Sequence, residues 1–183
     1  RKADLAVMAT TAKNYTPGLG IRKPIRMLVL HSAENQQLPG QAEAIVKYFA
    51  SKDAPQASAH YAVDNKIVAQ SVDDEDVAWA VGVWAANLES ISIEMTGKAA
   101  FTAADWANQY SKDMINQVVS LCKRLGQKYS IPPVHLTLGQ ILDGKTKGYC
   151  THADITAAYK IMGGHTDPGP NFPLQTLLDL IKG

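Results

Sequence analysis

The sequence predicts an α/β domain, and three segments support that class. Residues 25–31 form a mostly apolar run that is typical of a buried strand. Residues 90–95 alternate between apolar and polar side chains, which is typical of a half-buried strand. Residues 103–127 carry apolar side chains at spacings of three and four, which predict a helix. Strands interleaved with helices along a chain are typical of the α/β class.

Turn and capping signals predict the remaining elements. Residues 1–20 end in a turn-rich stretch and are expected to form an N-terminal arm or loop. Asp64 and Asn65 separate two short strands at a hairpin turn. Thr102 and Asp105 form a capping box at the start of the helix over 103–127, and Gly126 and then Ile-Pro-Pro at 131–133 are expected to end that helix. The other predicted elements are strands at 59–63 and 66–72 and helices at 41–51, 138–142, 155–161 and 174–181.

Composition limits the possible classes of function. A chain of 183 residues suits one domain, and 46% hydrophobic with 19% charged residues is ordinary for a globular protein. The net charge of +1 argues against nucleic-acid and membrane-surface partners. No apolar run reaches the roughly 18 residues of a membrane helix. The first eight residues are too short and polar for a signal peptide, and two cysteines do not make a disulfide framework.

Three side chains are candidates for a metal site. His31 closes the first buried strand, His152 lies 121 residues further on, and Asp167 follows His152 by 15 residues. A catalytic zinc site needs about three nitrogen, sulfur or oxygen ligands and an open position for water, and imidazole and carboxylate groups meet that need. Ligand spacing across a fold is free, so residue type alone leaves open that these are packed or surface side chains.

Glu94 is the next candidate, because it lies on the polar face of the strand predicted over 90–95. Two interpretations are open. The side chain is either a solvent-facing carboxylate on an edge strand or a general base beside a metal, with its pKa raised by burial.

Several other polar and sulfur side chains are expected to be structural. His60 is expected to be buried and hydrogen-bonded, and His135, which follows two prolines, to be exposed in a loop. Cys150 is expected to be a buried free thiol, and Cys122 belongs to the apolar stripe of the helix over 103–127. The acidic run over 73–76 is expected to be a solvated loop.

Six short motifs follow one another in an order that resembles a known family. They are Leu-Val-Leu-His at 28–31, Ser-Ala-His-Tyr at 58–61, Val-Ala-Trp-Ala-Val-Gly at 77–82, Ser-Ile-Glu-Met at 92–95, Thr-His-Ala-Asp-Ile at 151–155 and His-Thr-Asp-Pro-Gly-Pro at 165–170. Together they resemble the zinc-dependent N-acetylmuramoyl-L-alanine amidases, the family of bacterial anhydromuramyl amidases, phage amidase lysozymes and animal peptidoglycan recognition proteins. The last two motifs are closest to the amidase modules of endolysins from phages of actinobacteria.

The resemblance implies a fold and a set of residue roles. It implies an α/β fold with a single mixed central β-sheet flanked by helices, as in the peptidoglycan-recognition and amidase-like proteins. Residues 1–183 are then a single amidase catalytic domain with its core at 24–182. By the same resemblance, His31, His152 and Asp167 are the ligands of Zn²⁺. Glu94 acts in catalysis, and His165 occupies the position at which many members carry an oxyanion-stabilising lysine.

Two positions depart from the family pattern. Many members read Trp-His-Ala-Gly where this chain reads Trp-Ala-Val-Gly at 79–82, so one polar substrate contact is missing. His165 carries a weaker permanent charge than lysine. Two further roles stay open: Trp79 either stacks on substrate or packs in the core. Asp154 either orients His152 or caps a helix.

The implied activity is hydrolysis of the amide bond between N-acetylmuramic acid and L-alanine in bacterial peptidoglycan by zinc-activated water, for lysis of a host cell wall. We expect a monomer that is made in the host cytoplasm and reaches the wall after release. The alternative is a non-catalytic peptidoglycan-binding module. Such modules typically lose the third metal ligand, which Asp167 supplies here.

His165 predicts a pH-dependent activity. Because histidine loses its positive charge near neutrality, the rate of hydrolysis should fall as the pH rises from about 6 to about 9. A pH–rate profile measures this directly. A flat profile over that range would contradict a catalytic role for the charged imidazole.

Overall fold

A six-stranded mixed β-sheet lies at the centre of the protein, and the computed structural model describes residues 7–183. In chain order the strands are β1 (Val7–Ala9), β2 (Tyr15–Thr16), β3 (Met27–Ser32), β4 (Tyr61–Val63), β5 (Val68–Gln70), β6 (Val77–Ala78), β7 (Ser90–Met95) and β8 (Gly148–Thr151). The sheet order is β1-β5-β4-β7-β3-β8, with β4 and β5 antiparallel and the other neighbours parallel. Strands β2 and β6 form a separate antiparallel pair.

Seven helices of the described residues flank this sheet. They are α1 (Gln41–Ala50), α2 (Trp84–Asn87), α3 (Ala103–Trp106), α4 (Gln109–Tyr129), α5 (Leu138–Leu142), α6 (His152–Ala158) and α7 (Leu174–Lys182). The α/β class with a mixed central sheet between helices is therefore confirmed. Within residues 7–183, no helix combines the length and the apolar character needed to cross a membrane.

Alternate side chains of β3 enter two different cores. Leu28 and Leu30 pack in the core that includes the buried face of α4, whereas Met27 and Val29 pack in the core that includes Ile155 of α6. Each fully buried side chain of this size stabilises the fold by about 1.5–3 kcal/mol. His31 continues the series of Met27 and Val29, so its side chain points to the face of the sheet opposite α4, at the carboxyl end of the strand.

The long helix predicted over 103–127 is two helices. Asn108 interrupts it, because its side chain accepts a hydrogen bond from the backbone N–H of Ser111 and so starts α4. The break is not evident in the sequence, because apolar residues on either side of it are spaced four apart and continue the helical pattern. Gly126 does not end α4, which continues to Tyr129. A Cβ atom at this position would lie 3.1 Å from the carbonyl oxygen of Ile131, a tight contact that glycine avoids.

Two other expectations are corrected. Of the arm or loop expected over 1–20, residues 1–6 lie outside the described residues, while β1 and β2 pair with other strands. Backbone hydrogen bonds to β5 and β6 order this segment, and local turn signals do not reveal such partners. The helix expected at 155–161 is α6, which begins three residues earlier, since Thr151 and Asp154 form its capping box.

The acidic run at 73–76 is not fully solvated, because Asp74 is buried. Its carboxylate accepts hydrogen bonds from Tyr61 Oη, Lys128 Nζ and Tyr129 Oη at 2.7–2.8 Å. Burial alone raises the pKa of Asp74, but the bonds from Lys128 and the two tyrosines outweigh it and hold the pKa below the usual value. Asp74 therefore ties the β4–β5 region to α4.

Replacing Asp74 by asparagine should lower the free energy of unfolding at neutral pH by about 2 kcal/mol, because charge-assisted hydrogen bonds are lost from a buried group. The folded-state pKa of Asp74 is depressed, so its contribution is present above the unfolded pKa of about 4 and is lost as the pH falls. Urea unfolding at several pH values measures both effects. The exposed neighbour provides the control, since Asp73→Asn should change stability little; equal losses in the two variants would contradict the assignment.

Candidate metal centre

The register of parallel strands brings the first site residues together. His31 on β3 lies directly opposite Glu94 on β7, and Leu30 lies opposite Thr151, the last residue of β8. His152 follows Thr151 as the first residue of α6. The carboxyl ends of β3, β7 and β8 therefore present two imidazoles and a carboxylate at one edge of the sheet.

Asp167 completes a triangle with the two histidines. His31 Nδ1 lies 3.2 Å from His152 Nδ1 and 3.3 Å from Asp167 Oδ2, and His152 Nδ1 lies 3.1 Å from Asp167 Oδ1. All three residues are buried. The predicted set of His31, His152 and Asp167 is thus the cluster of metal-ligating side chains that the described residues form.

These separations match the requirements of a tetrahedral metal ion. Bonds of about 2.0–2.1 Å to a tetrahedral zinc place the ligand atoms about 3.3–3.4 Å apart. The two imidazole nitrogens lie 3.2 Å apart, and each lies 3.1–3.3 Å from one of the two oxygens of Asp167, which is close to that spacing. Burial lowers the pKa of His31, which keeps its imidazole neutral. Burial also opposes ionisation of Asp167, but hydrogen bonds from His152 and His31 outweigh it and lower its pKa. Neutral imidazole and ionised carboxylate are the forms that ligate metals.

Surrounding groups orient the three side chains. His31 Nε2 lies 3.2 Å from Ser92 Oγ, so a metal on Nδ1 leaves the ring proton on Nε2 to be donated to Ser92. The backbone N–H of Ala153 donates to the carbonyl oxygen of Asp167, which joins the start of α6 to the loop that carries the third ligand. Ser92 was not predicted as a site residue, although strand alternation places it on the face of Glu94.

Asp154 resolves one of the open alternatives in favour of the helix cap. Its carboxylate accepts from the backbone N–H of Thr151, and Thr151 Oγ1 accepts from the backbone N–H of Asp154. The same carboxylate lies 2.8 Å from His135 Nε2 rather than against His152. His135 is exposed as predicted, and Asp154 positions His152 only by starting the helix.

Glu94 is largely buried beside the triangle, which excludes the solvent-facing alternative. Its Oε1 lies 3.9 Å from His31 Nδ1, and its Oε2 is buried without a hydrogen-bond partner among the described residues. Burial raises the pKa of Glu94 to about 8, and the negative charges of Asp167 and Glu34 add to the effect. A buried oxygen without a partner, next to the candidate metal centre, is free to bind a water molecule or substrate.

His165 lies against the cluster but is mostly exposed. Its ring stacks on that of His152 with centroids 4.1 Å apart, and its Nδ1 lies 3.5 Å from Asp167 Oδ1. Its backbone N–H donates to Thr156 Oγ1, which ties the loop to α6. The ring of His165 therefore lies at the edge of the cluster, with most of its surface exposed.

A cavity of ≈ 450 Å³ opens over the cluster, within the about 300–1,000 Å³ range of ligand pockets. One part is polar and contains the three candidate ligands, Glu94 and His165. The other part is apolar and aromatic, with side chains from α1 and Trp79. Trp79 is half-buried and donates from Nε1 to Thr16 Oγ1, so its ring is held in place while one side lines the cavity.

The remaining singled-out residues have the structural positions that were predicted. His60 is buried; its Nδ1 accepts from the backbone N–H of Ser92, and burial and the charge of Arg22 lower its pKa to about 3. Cys122 and Cys150 are both buried free thiols, and burial raises the pKa of each.

Comparison with known proteins agrees with this fold. A protein-family model described as N-acetylmuramoyl-L-alanine amidase matches residues 21–170. The structure is similar to the hydrolase AmiA of Staphylococcus aureus, with a TM-score of 0.68, 19% identity and coverage of 96% of this chain and 81% of that chain. It is also similar to the N-acetylmuramoyl-L-alanine amidase LysC from Clostridium intestinale, with a TM-score of 0.61, 15% identity and 97% coverage of both chains. None of the curated proteins matches the chain significantly in sequence.

The family model covers most of the chain and therefore identifies the class of this protein. The chain belongs to the N-acetylmuramoyl-L-alanine amidase family. The matched residues include both histidines and the aspartate of the cluster, as well as Glu94 and His165.

Proposed function

We propose that this protein is a zinc-dependent N-acetylmuramoyl-L-alanine amidase that hydrolyses the bond between N-acetylmuramic acid and the L-alanine of the stem peptide. The observation that carries the proposal is the cluster in which Nδ1 of His31 and Nδ1 of His152 lie 3.2 Å apart and each lies 3.1–3.3 Å from one oxygen of Asp167, with the largely buried carboxylate of Glu94 beside it. Family membership supplies the substrate class.

His31, His152 and Asp167 would hold the zinc ion, and Ser92 would fix the ring of His31. When bound, zinc supplies a Lewis acid that polarises the amide carbonyl and acidifies a water molecule. Two neutral imidazoles and one carboxylate leave a net positive charge at the centre. That charge also favours the ionised form of Glu94, whose pKa is otherwise raised by burial.

Glu94 is the general base in this proposal. Its unpartnered Oε2 accepts a proton from the attacking water, and the same carboxyl group then returns that proton to the departing amine nitrogen of L-alanine. Burial raises the pKa of Glu94, and the positive charge of bound zinc would lower it again, so that the carboxylate is ionised to accept the proton and the carboxylic acid can give it back.

His165 and Trp79 contact the substrate in this proposal. His165, whose exposed ring lies beside Asp167, donates a hydrogen bond to the oxyanion that forms when water adds to the carbonyl. Trp79 presents its ring to the aromatic part of the cavity, where it stacks on sugar or peptide.

The biological setting is also a proposal. Solved structures similar to this chain include proteins described as endolysins, from Bacillus subtilis and Clostridium intestinale. We propose a single catalytic domain, 1–183, with its core at 24–182, that acts as a monomer on bacterial cell wall at host lysis and is made in the host cytoplasm. The proposal that the hosts are actinobacteria rests only on the motifs at 151–155 and 165–170, which resemble those of endolysins from phages of actinobacteria.

Zinc binding should depend on the three ligands and, more weakly, on Ser92. Ser92→Ala removes the hydrogen-bond partner of His31 and should weaken zinc affinity by about 10–100-fold. His31→Ala removes a ligand and should weaken zinc affinity further. Calorimetric titration of chelator-treated protein measures both. His135→Ala, which changes an exposed histidine outside the cluster, should leave zinc affinity unchanged; an equal loss in that variant would contradict the assigned site.

Glu94→Gln should reduce hydrolysis by about 10²–10⁴-fold while retaining zinc, because it removes the general base and keeps the shape of the side chain. Digestion of purified cell wall, followed by quantification of released N-terminal alanine, measures the loss. Glu75→Gln changes an exposed carboxylate outside the cavity and should digest wall as the unmodified protein does. New reducing ends without new amino groups would indicate a glycosidase. Zinc-loaded protein that binds wall without releasing amines would support the binding-module alternative.

A further inference from the structure

We propose that Glu34 is a specificity-determining residue that binds a cationic group of the substrate at the mouth of the active-site cavity. Glu34 lies in the loop between β3 and α1, three residues after the ligand His31, and lines the cavity. The inference rests on the proposed function, since it assigns a substrate contact within the same cavity.

The carboxylate of Glu34 is held through only one of its oxygens. Ser32 Oγ and the backbone N–H of Ala99 both donate to Oε1, at 2.6 and 2.7 Å. Among the described residues, Oε2 has no hydrogen-bond partner, and the side chain is exposed. A carboxylate fixed by one oxygen and open at the other is oriented before a ligand arrives, so less side-chain freedom is lost on binding.

The backbone around Glu34 is constrained as well. Glu34 has a φ of 54°, in the left-handed region that residues other than glycine rarely adopt and that clusters at functional sites. Asn35 holds this conformation by exchanging two hydrogen bonds with Gly97. The loop of Ala99 also abuts Gly169, where a Cβ atom would lie 2.0 Å from the carbonyl oxygen of Ala99. The Glu34 loop is thus tied to the loop that carries Asp167.

The charges around the cavity favour a cation at Glu34. No lysine or arginine of the described residues lines it, and its carboxylates are Glu34, Glu94 and Asp167. Glu94 and Asp167 belong to the metal centre, where a dication would balance them. His165 also lines the cavity, but its Nδ1 lies 3.5 Å from Asp167, whereas Glu34 forms no ion pair among the described residues. Glu34 therefore attracts an ammonium group and repels a carboxylate. In a stem peptide, the matching group is the free side-chain amine of a diamino acid.

The test compares two muramyl peptides of identical sequence, one with a free lysine side-chain amine and one with that amine acetylated. For the unmodified protein, kcat/KM should favour the free amine by about threefold to fivefold at low salt, as expected for a partly solvated ion pair. High salt should reduce this ratio towards one. In Glu34→Gln the amide oxygen still accepts from Ser32 and Ala99, so the loop is retained, and the ratio should fall to about one.

Glu43→Gln serves as the matched control, because Glu43 lies on α1, pairs with Lys47 and does not line the cavity. It should retain the ratio of the unmodified protein. A ratio of one in the unmodified protein, or an unchanged ratio in Glu34→Gln, would overturn the proposal.

A measurement of peptide binding tests the role of Glu34 independently of the proposed catalysis. The two peptides are titrated calorimetrically against Glu94→Gln, with and without Glu34→Gln, so that no hydrolysis is needed. A binding preference for the free amine that disappears with Glu34→Gln supports the role of Glu34. This holds even if the unmodified protein hydrolyses neither peptide, in which case only the proposed activity fails. Hydrolysis of both peptides without any preference in binding or rate overturns the role of Glu34 alone.

Discussion

The parallel register of β3 against β7 is the constraint on which the site depends. It places His31 opposite Glu94, while β8 on the other side of β3 delivers His152 one residue beyond its last ladder position. A shift of one residue would turn His31 to the face that packs on α4 and expose an apolar side chain at the site. The two apolar cores on opposite faces of β3 exclude that shift, since each accepts only one set of alternate side chains. Packing remote from the site therefore sets its geometry.

Burying so many ionisable groups at one sheet edge has a cost in stability, and the fold contains stabilising polar networks elsewhere. Arg26 is buried, pairs with Glu89 at 2.5 Å and donates to the carbonyl oxygens of Gln140, Ile141 and Thr146. It thereby joins the start of β3 to α5 and the segment before β8. These contacts anchor the amino end of the strands, whereas the carboxyl end holds groups arranged for ligand binding.

Periodicity predicted the central strands and the class of fold. Residue type suggested the candidate ligands, and the family resemblance assigned their roles. Periodicity and residue type failed where a partner remote in sequence decides the outcome. The break at Asn108 depends on a side-chain cap inside an apolar pattern, and the pairing of β1 depends on an open edge of β5. Asp74 looked like one member of a solvated acidic run, because its partners Tyr61, Lys128 and Tyr129 lie on other elements. Ser92 was visible in the alternation of β7, but its contact with His31 required the register.

The wide separation of the ligands along the chain has a consequence for folding. His31 stands 121 residues before His152, so the triangle exists only when the first core strand and the last part of the sheet have assembled. An unfolded chain offers no comparable site, and an ion bound there would act as a cross-link that closes most of the polypeptide into one loop. The melting temperature would then rise with the logarithm of free metal concentration. The concentration of the free ion would thus set the fraction of the chain that is folded.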